Sequence, residues 1–231
     1  MTTADAIVQT PRRIKLGSLA ECLPTDCLTL AARQFALSKP QLQELQSRIC
    51  GPSGLLAAFA TQVAEQGRQA PDLQVLPDSA DPLRRLLTER SIRFALARHH
   101  RRAFAKNPFA GLPRRTLCAV VYDDTRTYNL AERYAALEEL RASDSRFFVK
   151  LIATTRETVE RRLVFLGLIE HFDSLLPVEQ SIYLFGYREV QVEHLHREEE
   201  LYGKLKLHEP LWRMLAEESP QNVVASLEAG E

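Results

Sequence analysis

Apolar residues recur at helical spacing along most of the chain, and the most informative stretch is residues 143–168, SDSRFFVKLIATTRETVERRLVFLGL. Phe148 and Ile152 lie one turn apart, as do Val159 and Leu163, so the spacing predicts two short helices sharing one seam. Ala153 stands where the chain must reverse. Thr154 and Thr155 are good N-caps, and Thr154 with Glu157 fits a capping box, so a second helix is expected to start there. Arg156, Glu157, Glu160 and Arg161 then project away from the seam, which defines a helix-turn-helix with a charged outer face.

The flanking pattern is also helical. Residues 28–49 repeat the central spacing: a shift of 117 places Phe35 on Ile152, Ala36 on Ala153, Leu42 on Val159 and Ile49 on Leu166. Ser38 and Gln41 make a capping box, Pro40 suits a first turn, and Gly51-Pro52 ends the helix, so a duplicated helix-turn-helix unit is expected here. A further helix is expected over 53–66, a Pro- and Gln-rich linker over 67–80, and a long helix over 81–106 opened by Asp81 and Pro82. Residues 116–122 fit either a short buried strand or the start of a helix. Asn129 to Arg141 reads as a helix, 181–190 as a small wing or strand, and 188–218 as a helix broken at Glu209-Pro210. Trp212, Met214 and Leu215 form its docking face, and the last dozen residues are expected to fray. The fold class is therefore mainly α. It comprises a helical N-terminal region over 1–66, the linker, and a unit over 81–231 holding the basic helix, the central element and a helical tail.

Composition narrows the class. The chain has 231 residues, 45% hydrophobic and 26% charged, with a formal net charge of zero. No apolar run reaches the roughly 18 residues of a membrane span, and the first residues lack a secretory apolar core, so a cytoplasmic protein without membrane contact is expected. Four irregularly spaced cysteines suit reduced thiols. His99 and His100 diverge by about 100 degrees on a helix and make a poor metal pair, so no metal or other cofactor is expected.

The neutral total hides an uneven distribution. Residues 93–115 carry seven Lys/Arg, two His and no acid, whereas residues 189–231 carry ten Glu against four Lys/Arg. In the basic window Arg98, Arg101, Arg102, Lys106, Arg114 and Arg115 are candidate phosphate contacts, joined by Thr154, Thr155 and Arg162 around the central element. Arg156, Glu157 and Arg161 are candidate base contacts, because Arg can take guanine O6 and N7 together and Glu can accept from cytosine N4.

These residues carry a resemblance. LIATTRETVERRL is similar to the turn and recognition helix of the cyclic-AMP receptor family, whose base-contacting Arg, Glu and Arg match Arg156, Glu157 and Arg161; Val149 and Arg162 depart from that pattern. The longer segment, from Leu140-Arg141-Ala142-Ser143 through Leu166-Gly167-Leu168 to Pro177, resembles the C subunit of the flagellar master activator. It also resembles relatives of that subunit that switch on integrative and conjugative elements. This second resemblance implies a DNA-binding transcriptional activator, not an enzyme. Its partners would be double-stranded DNA, a second regulator subunit or further copies of itself, and RNA polymerase. One helix-turn-helix buries little surface, which also favours an oligomer.

Two rival readings accompany it. VVYDDTRT, FFVKLIATT and GLIEHFD imitate three segments of haloacid-dehalogenase-like phosphatases, with Asp123 as the nucleophile. The pattern departs at Thr125, where a second Asp is needed. The other rival is a non-catalytic assembly or adaptor protein in which both helix pairs are packing units.

Overall fold

Asn129 opens the helix on which the rest of the structure is built. Its side-chain Oδ1 accepts from the Glu132 N–H at 2.9 Å while the Glu132 carboxylate accepts from the Asn129 N–H at 3.0 Å, a reciprocal capping box. From there the helix runs unbroken for 24 residues, Leu130–Ala153. The computed structural model describes residues 32–74, 81–99, 105–155 and 160–228, and all regular structure among them is helical. In order the helices are α1 (Lys39–Cys50), α2 (Leu55–Gln66), α3 (Pro71–Gln74), α4 (Pro82–His99), α5 (Arg114–Val121), α6 (Leu130–Ala153), α7 (Arg161–Ser174), α8 (Pro177–Gln180), α9 (Tyr187–Tyr202), α10 (Leu211–Glu217) and α11 (Pro220–Glu228). The expected mainly α class is what the chain adopts. No helix among the described residues is long and apolar enough to cross a membrane.

Several boundaries follow the local chemistry read from the sequence. The Asp81 carboxylate accepts from the Leu83 N–H at 2.9 Å at the start of α4, and Pro82 is its first residue. At α1 the Gln41 side chain accepts from the Ser38 N–H at 2.9 Å, and Gly51 follows the last residue. Only glycine fits there, since a Cβ would lie 2.4 Å from the Ser47 carbonyl oxygen. Helix α2 starts at Leu55, with Gly54 as its cap.

Two apolar cores form, and α6 belongs to both. The first joins Leu42 and Ile49 of α1, Leu56, Phe59 and Val63 of α2, Leu87 and Ala95 of α4, the buried face of α5, and the N-terminal half of α6 through Leu140. The second joins Leu151 near the C-terminal end of α6 with Leu163 of α7, Leu211, Met214 and Leu215 of α10, and Val223 of α11. Residues on both sides of the expected linker thus share the first core. Part of that linker is ordered as a 3-10 turn and α3, with Leu73 buried.

Other expectations are corrected. Of the two readings left open for residues 116–122 the helical one holds, since they belong to α5 and its C-terminal turn, and Leu117 to Tyr122 are all buried. The phosphatase reading loses its strand there. Asp123 is buried, and its two carboxylate oxygens accept from the Thr125 N–H at 2.8 Å and the Tyr128 N–H at 2.8 Å. Asp123 shapes the turn into α6. Residues 181–186 form turns rather than a wing, and Tyr183 and Tyr187 pack with Phe172 at 5.3 and 5.4 Å between ring centroids. The segment expected to fray forms α11 instead, because burying Val223 in the second core ties it down.

Between α4 and α6 lies a buried polar hub. The fully buried Glu132 carboxylate takes a bidentate pair from Arg84 (Nη2 at 2.6 Å), a hydrogen bond from Thr88 Oγ1 at 2.6 Å and the Asn129 N–H. Arg84 also donates to the Thr127 carbonyl at 2.7 Å and lies over the Tyr128 ring at 5.0 Å. Removing one member strands the other charge out of water, at a cost of about 3–5 kcal/mol. Arg84→Met is therefore expected to lower unfolding stability by that amount in urea titration, and Arg84→Met with Glu132→Leu by much less; equal losses would contradict the pairing.

Candidate nucleic-acid interface

The central segment does not fold as two short helices around Ala153. With no breaker between Arg141 and Ala153, α6 continues to Ala153, and Thr154 is its C-cap rather than the N-cap of a new helix. Thr154 Oγ1 donates to the Leu151 carbonyl at 2.6 Å and Thr155 Oγ1 to the Ile152 carbonyl at 2.7 Å. Both hydroxyls turn back on the preceding helix, which ends it and leaves Thr154 buried. The next helix begins at Arg161 with Glu160 as its cap. The apolar seam is displaced as well. Leu151 is buried and Phe148 packs against the second core, but Ile152 is 62% exposed. Helix α7 packs against α6, α9 and α10. Gly167 marks its closest approach to α6, where a Cβ would stand 2.7 Å from Leu151 side-chain carbons.

The candidate residues separate accordingly. Arg156 and Glu157 lie outside the described residues. Arg161 is exposed on the first turn of α7, with a long 3.5 Å pair to Glu198 of α9. Arg162 is 12% exposed and fully engaged. It donates to both Glu160 carboxylate oxygens at 2.8 Å and to the Tyr202 and Gly203 carbonyls at 2.7 Å, so it caps the C-terminus of α9 instead of holding a phosphate. Those hydrogen bonds from Arg162 pull the Glu160 carboxyl below its ordinary range, against a smaller opposing effect of burial.

The basic window also divides. Arg98 pairs with Glu138 at 2.9 Å, and Arg101 and Arg102 lie outside the described residues. Lys106 and Arg115 are exposed and form no ion pair among the described residues. Arg114 is not available to a phosphate: it lies between Asp144 of α6 and Glu179 of α8, with Nη2 2.6 Å from Glu179. Burial alone would lower its pKa, but the hydrogen bonds to Asp144 and Glu179 outweigh it and raise it.

Arg114 belongs to a network that the sequence pattern did not reveal. His171 Nε2 lies 3.1 Å from Asp144 Oδ1, and the imidazole stands against Phe148 at 4.6 Å and Phe147 at 5.8 Å. Burial would raise the Asp144 carboxyl, but hydrogen bonds from His171 and Arg114 prevail and hold it at about 2. Nearby, α10 is held at both ends. Glu170 accepts from the Leu211 and Trp212 N–H groups at 3.0 and 2.8 Å, and Lys150 donates to the Leu215 and Ala216 carbonyls. Each charge matches the helix dipole at its end. Burial pushes up the pKa of the Cys50 and Cys118 thiols.

The arrangement closest to a compact helix-turn-helix is in the N-terminal region. Residues 32–35 are helical, 36–38 turn, and α1 follows directly. Gln41, Glu44 and Arg48 are exposed on α1, while Lys39 and Gln43 are directed at the 181–183 turn, donating to the Tyr183 carbonyl at 3.3 Å and the Ser181 carbonyl at 2.8 Å. Gln41, Glu44 and Arg48 line a concavity of about 480 Å³ with Arg33 and Asp124, which pair at 3.3 Å.

The chain matches no protein-family model, and neither a curated protein nor a solved structure shows significant similarity to it.

The depressed Asp144 carboxyl has a measurable consequence. A group whose pKa is lower folded than unfolded stabilises the fold above its unfolded value, and that contribution is lost as pH falls through the folded one. Stability is thus expected to fall between about pH 4 and pH 2 as Asp144 protonates, from an ordinary 3.8 toward about 2. In Asp144→Asn the fold should be weaker at pH 7, and acid titration followed by circular dichroism should show a shallower loss across that window.

Proposed function

We propose that this chain is a DNA-binding transcriptional regulator that works as an oligomer or with a second subunit. The reading is carried by the residues 32–50 unit: a helical segment, a three-residue turn and a capped helix that exposes Gln41, Glu44 and Arg48. Those side chains are base-reading chemistries, Gln toward adenine, Glu toward cytosine and Arg toward guanine. Arg161, with Arg156 and Glu157 beside it in the chain, forms a second candidate contact at the corner between α6 and α7. Exposed Lys106 and Arg115 are the candidate phosphate contacts. The resemblance of residues 140–177 to the flagellar activator subunit adds the activator role and the expectation of a partner.

A specific observation favours a second reading, a non-catalytic assembly protein. Leu184 and Phe185 are 85% and 97% exposed, more than an isolated DNA reader needs. Selection from random duplex DNA at about 150 mM salt separates the two, because unspecific phosphate binding is suppressed there. An enriched sequence is expected. Arg48→Ala should then weaken the selected site by about 1–3 kcal/mol and relax one position, whereas Lys106→Ala and Arg115→Ala should weaken all sequences alike and each reduce the salt slope by about one. If Arg161→Ala relaxes the sequence and Arg48→Ala does not, the central corner is the reader. No enrichment at all would favour assembly.

A further inference from the structure

We propose that the cleft between α6, α7 and α10 is a binding site for a small aromatic carboxylate, a flat apolar body of one or two rings carrying one negative charge. The cleft encloses about 430 Å³, inside the range of pockets that hold small organic ligands. Phe147, Arg146 and Lys150 of α6, His171 of α7, and Trp212 and Leu215 of α10 line it. The site goes beyond the DNA reading and does not rest on it.

The walls are fixed before anything binds. Glu170 accepts from the Leu211 and Trp212 N–H groups at one end of α10, and Lys150 donates to the Leu215 and Ala216 carbonyls at the other, so this helix is held against α6 and α7. Phe147 stacks on His171 at 5.8 Å with the ring planes 17° apart, and meets Phe148 edge-on at 5.3 Å. His171 is held in turn by Asp144 Oδ1 at 3.1 Å. Trp212 keeps half of its surface exposed, with the Arg213 guanidinium 5.4 Å from its ring centroid. A half-covered indole and a partly covered phenyl ring offer apolar surface that a planar ligand removes from water, and contact between rings adds to that gain.

The ligand's charge follows from how the charged lining groups are matched. Arg114 is answered by Asp144 and Glu179, and Arg146 by Glu139 at 2.9 Å. The two lining acids are engaged as well, Asp144 by Arg114 and His171, and Glu170 by the N–H groups of α10. Lys150 differs. Among the described residues its ammonium meets two neutral carbonyls and no carboxylate. The end of a helix offers only about half a negative charge, and two carbonyls take two of the three ammonium hydrogens. A carboxylate on Lys150 supplies both the missing charge and the third acceptor. Arg146, one turn earlier on α6 and 62% exposed, brings a second cation to the same group.

Trp212 is the chain's one tryptophan, so its fluorescence reports on this cleft. The test is titration of the full chain with phenylacetate and biphenylacetate, with their uncharged amides, and with hexanoate, followed by Trp212 emission and by calorimetry. Saturable binding of an aromatic acid is expected, with dissociation constants about tenfold or more higher for its amide and for hexanoate. Lys150→Met should raise the constant for the acid about tenfold or more while leaving that for the amide unchanged, which a collapsed cleft would not do. Arg146→Gln, on an exposed side chain, should raise it by a smaller factor and keeps the test open if Lys150→Met loosens α10. No saturable binding of either aromatic acid overturns the proposal, as does calorimetric binding that leaves Trp212 emission unchanged. Equal affinity for the amide, or an acid affinity that both variants leave intact, removes the carboxylate contact, and equal affinity for hexanoate removes the aromatic one.

Discussion

Within the first core, the α4–α6 pair is registered against one buried carboxylate. Glu132 lies out of water on α6, and it is stable there only because Arg84, Thr88 and the backbone of Asn129 surround it. The interaction is directional where the apolar packing is not. Leu, Val and Ala side chains let α4 slide along α6 at modest cost, but a bidentate guanidinium–carboxylate pair allows a single register. Arg84 extends that constraint to the Thr127 carbonyl, so the turn shaped by Asp123 is fixed by the same residue that sets the helix pair. Further along α6, Glu138 pairs with Arg98 and Arg141, and Glu139 with Arg146, through guanidiniums that stay largely exposed.

This use of charge explains how a basic window can sit in a protein of zero net charge. Seven cations without an acid in sequence suggest a polyanion surface, but in space α6 and α8 supply the acids. Arg98 pairs with Glu138, and Arg114 with Asp144 and Glu179, each partner at least 30 residues away. Arg93, Arg98, Lys106 and Arg115 remain exposed.

Legibility followed the range of the interaction. Caps and stops set within four residues were readable: Gln41 on Ser38, Asp81 with Pro82, and Gly51 after α1. The central element misled because its strongest cue was also local. Thr154 and Glu157 fit a capping box, but helix continuity up to Ala153 and back-bonding of both threonine hydroxyls won, so the seam expected at Ile152 went to Leu151. No periodicity could have disclosed the Arg162 contacts with the end of α9, or the Asp144–His171–Arg114–Glu179 network, because their members are brought together only by packing. The exposed tip at Phe185 was hidden among aromatics, since Tyr183 and Tyr187 on either side do pack inward as an aromatic reading would expect.

A single rod of 24 residues, about 36 Å at the standard rise, contributes its first half to one apolar cluster and its last turns to another. Severing the backbone anywhere between 130 and 153 would leave both clusters short of a wall. The two ends of the molecule are therefore not separable modules, and a load applied at the α7–α10 end is carried through a stiff lever to the packing around Glu132.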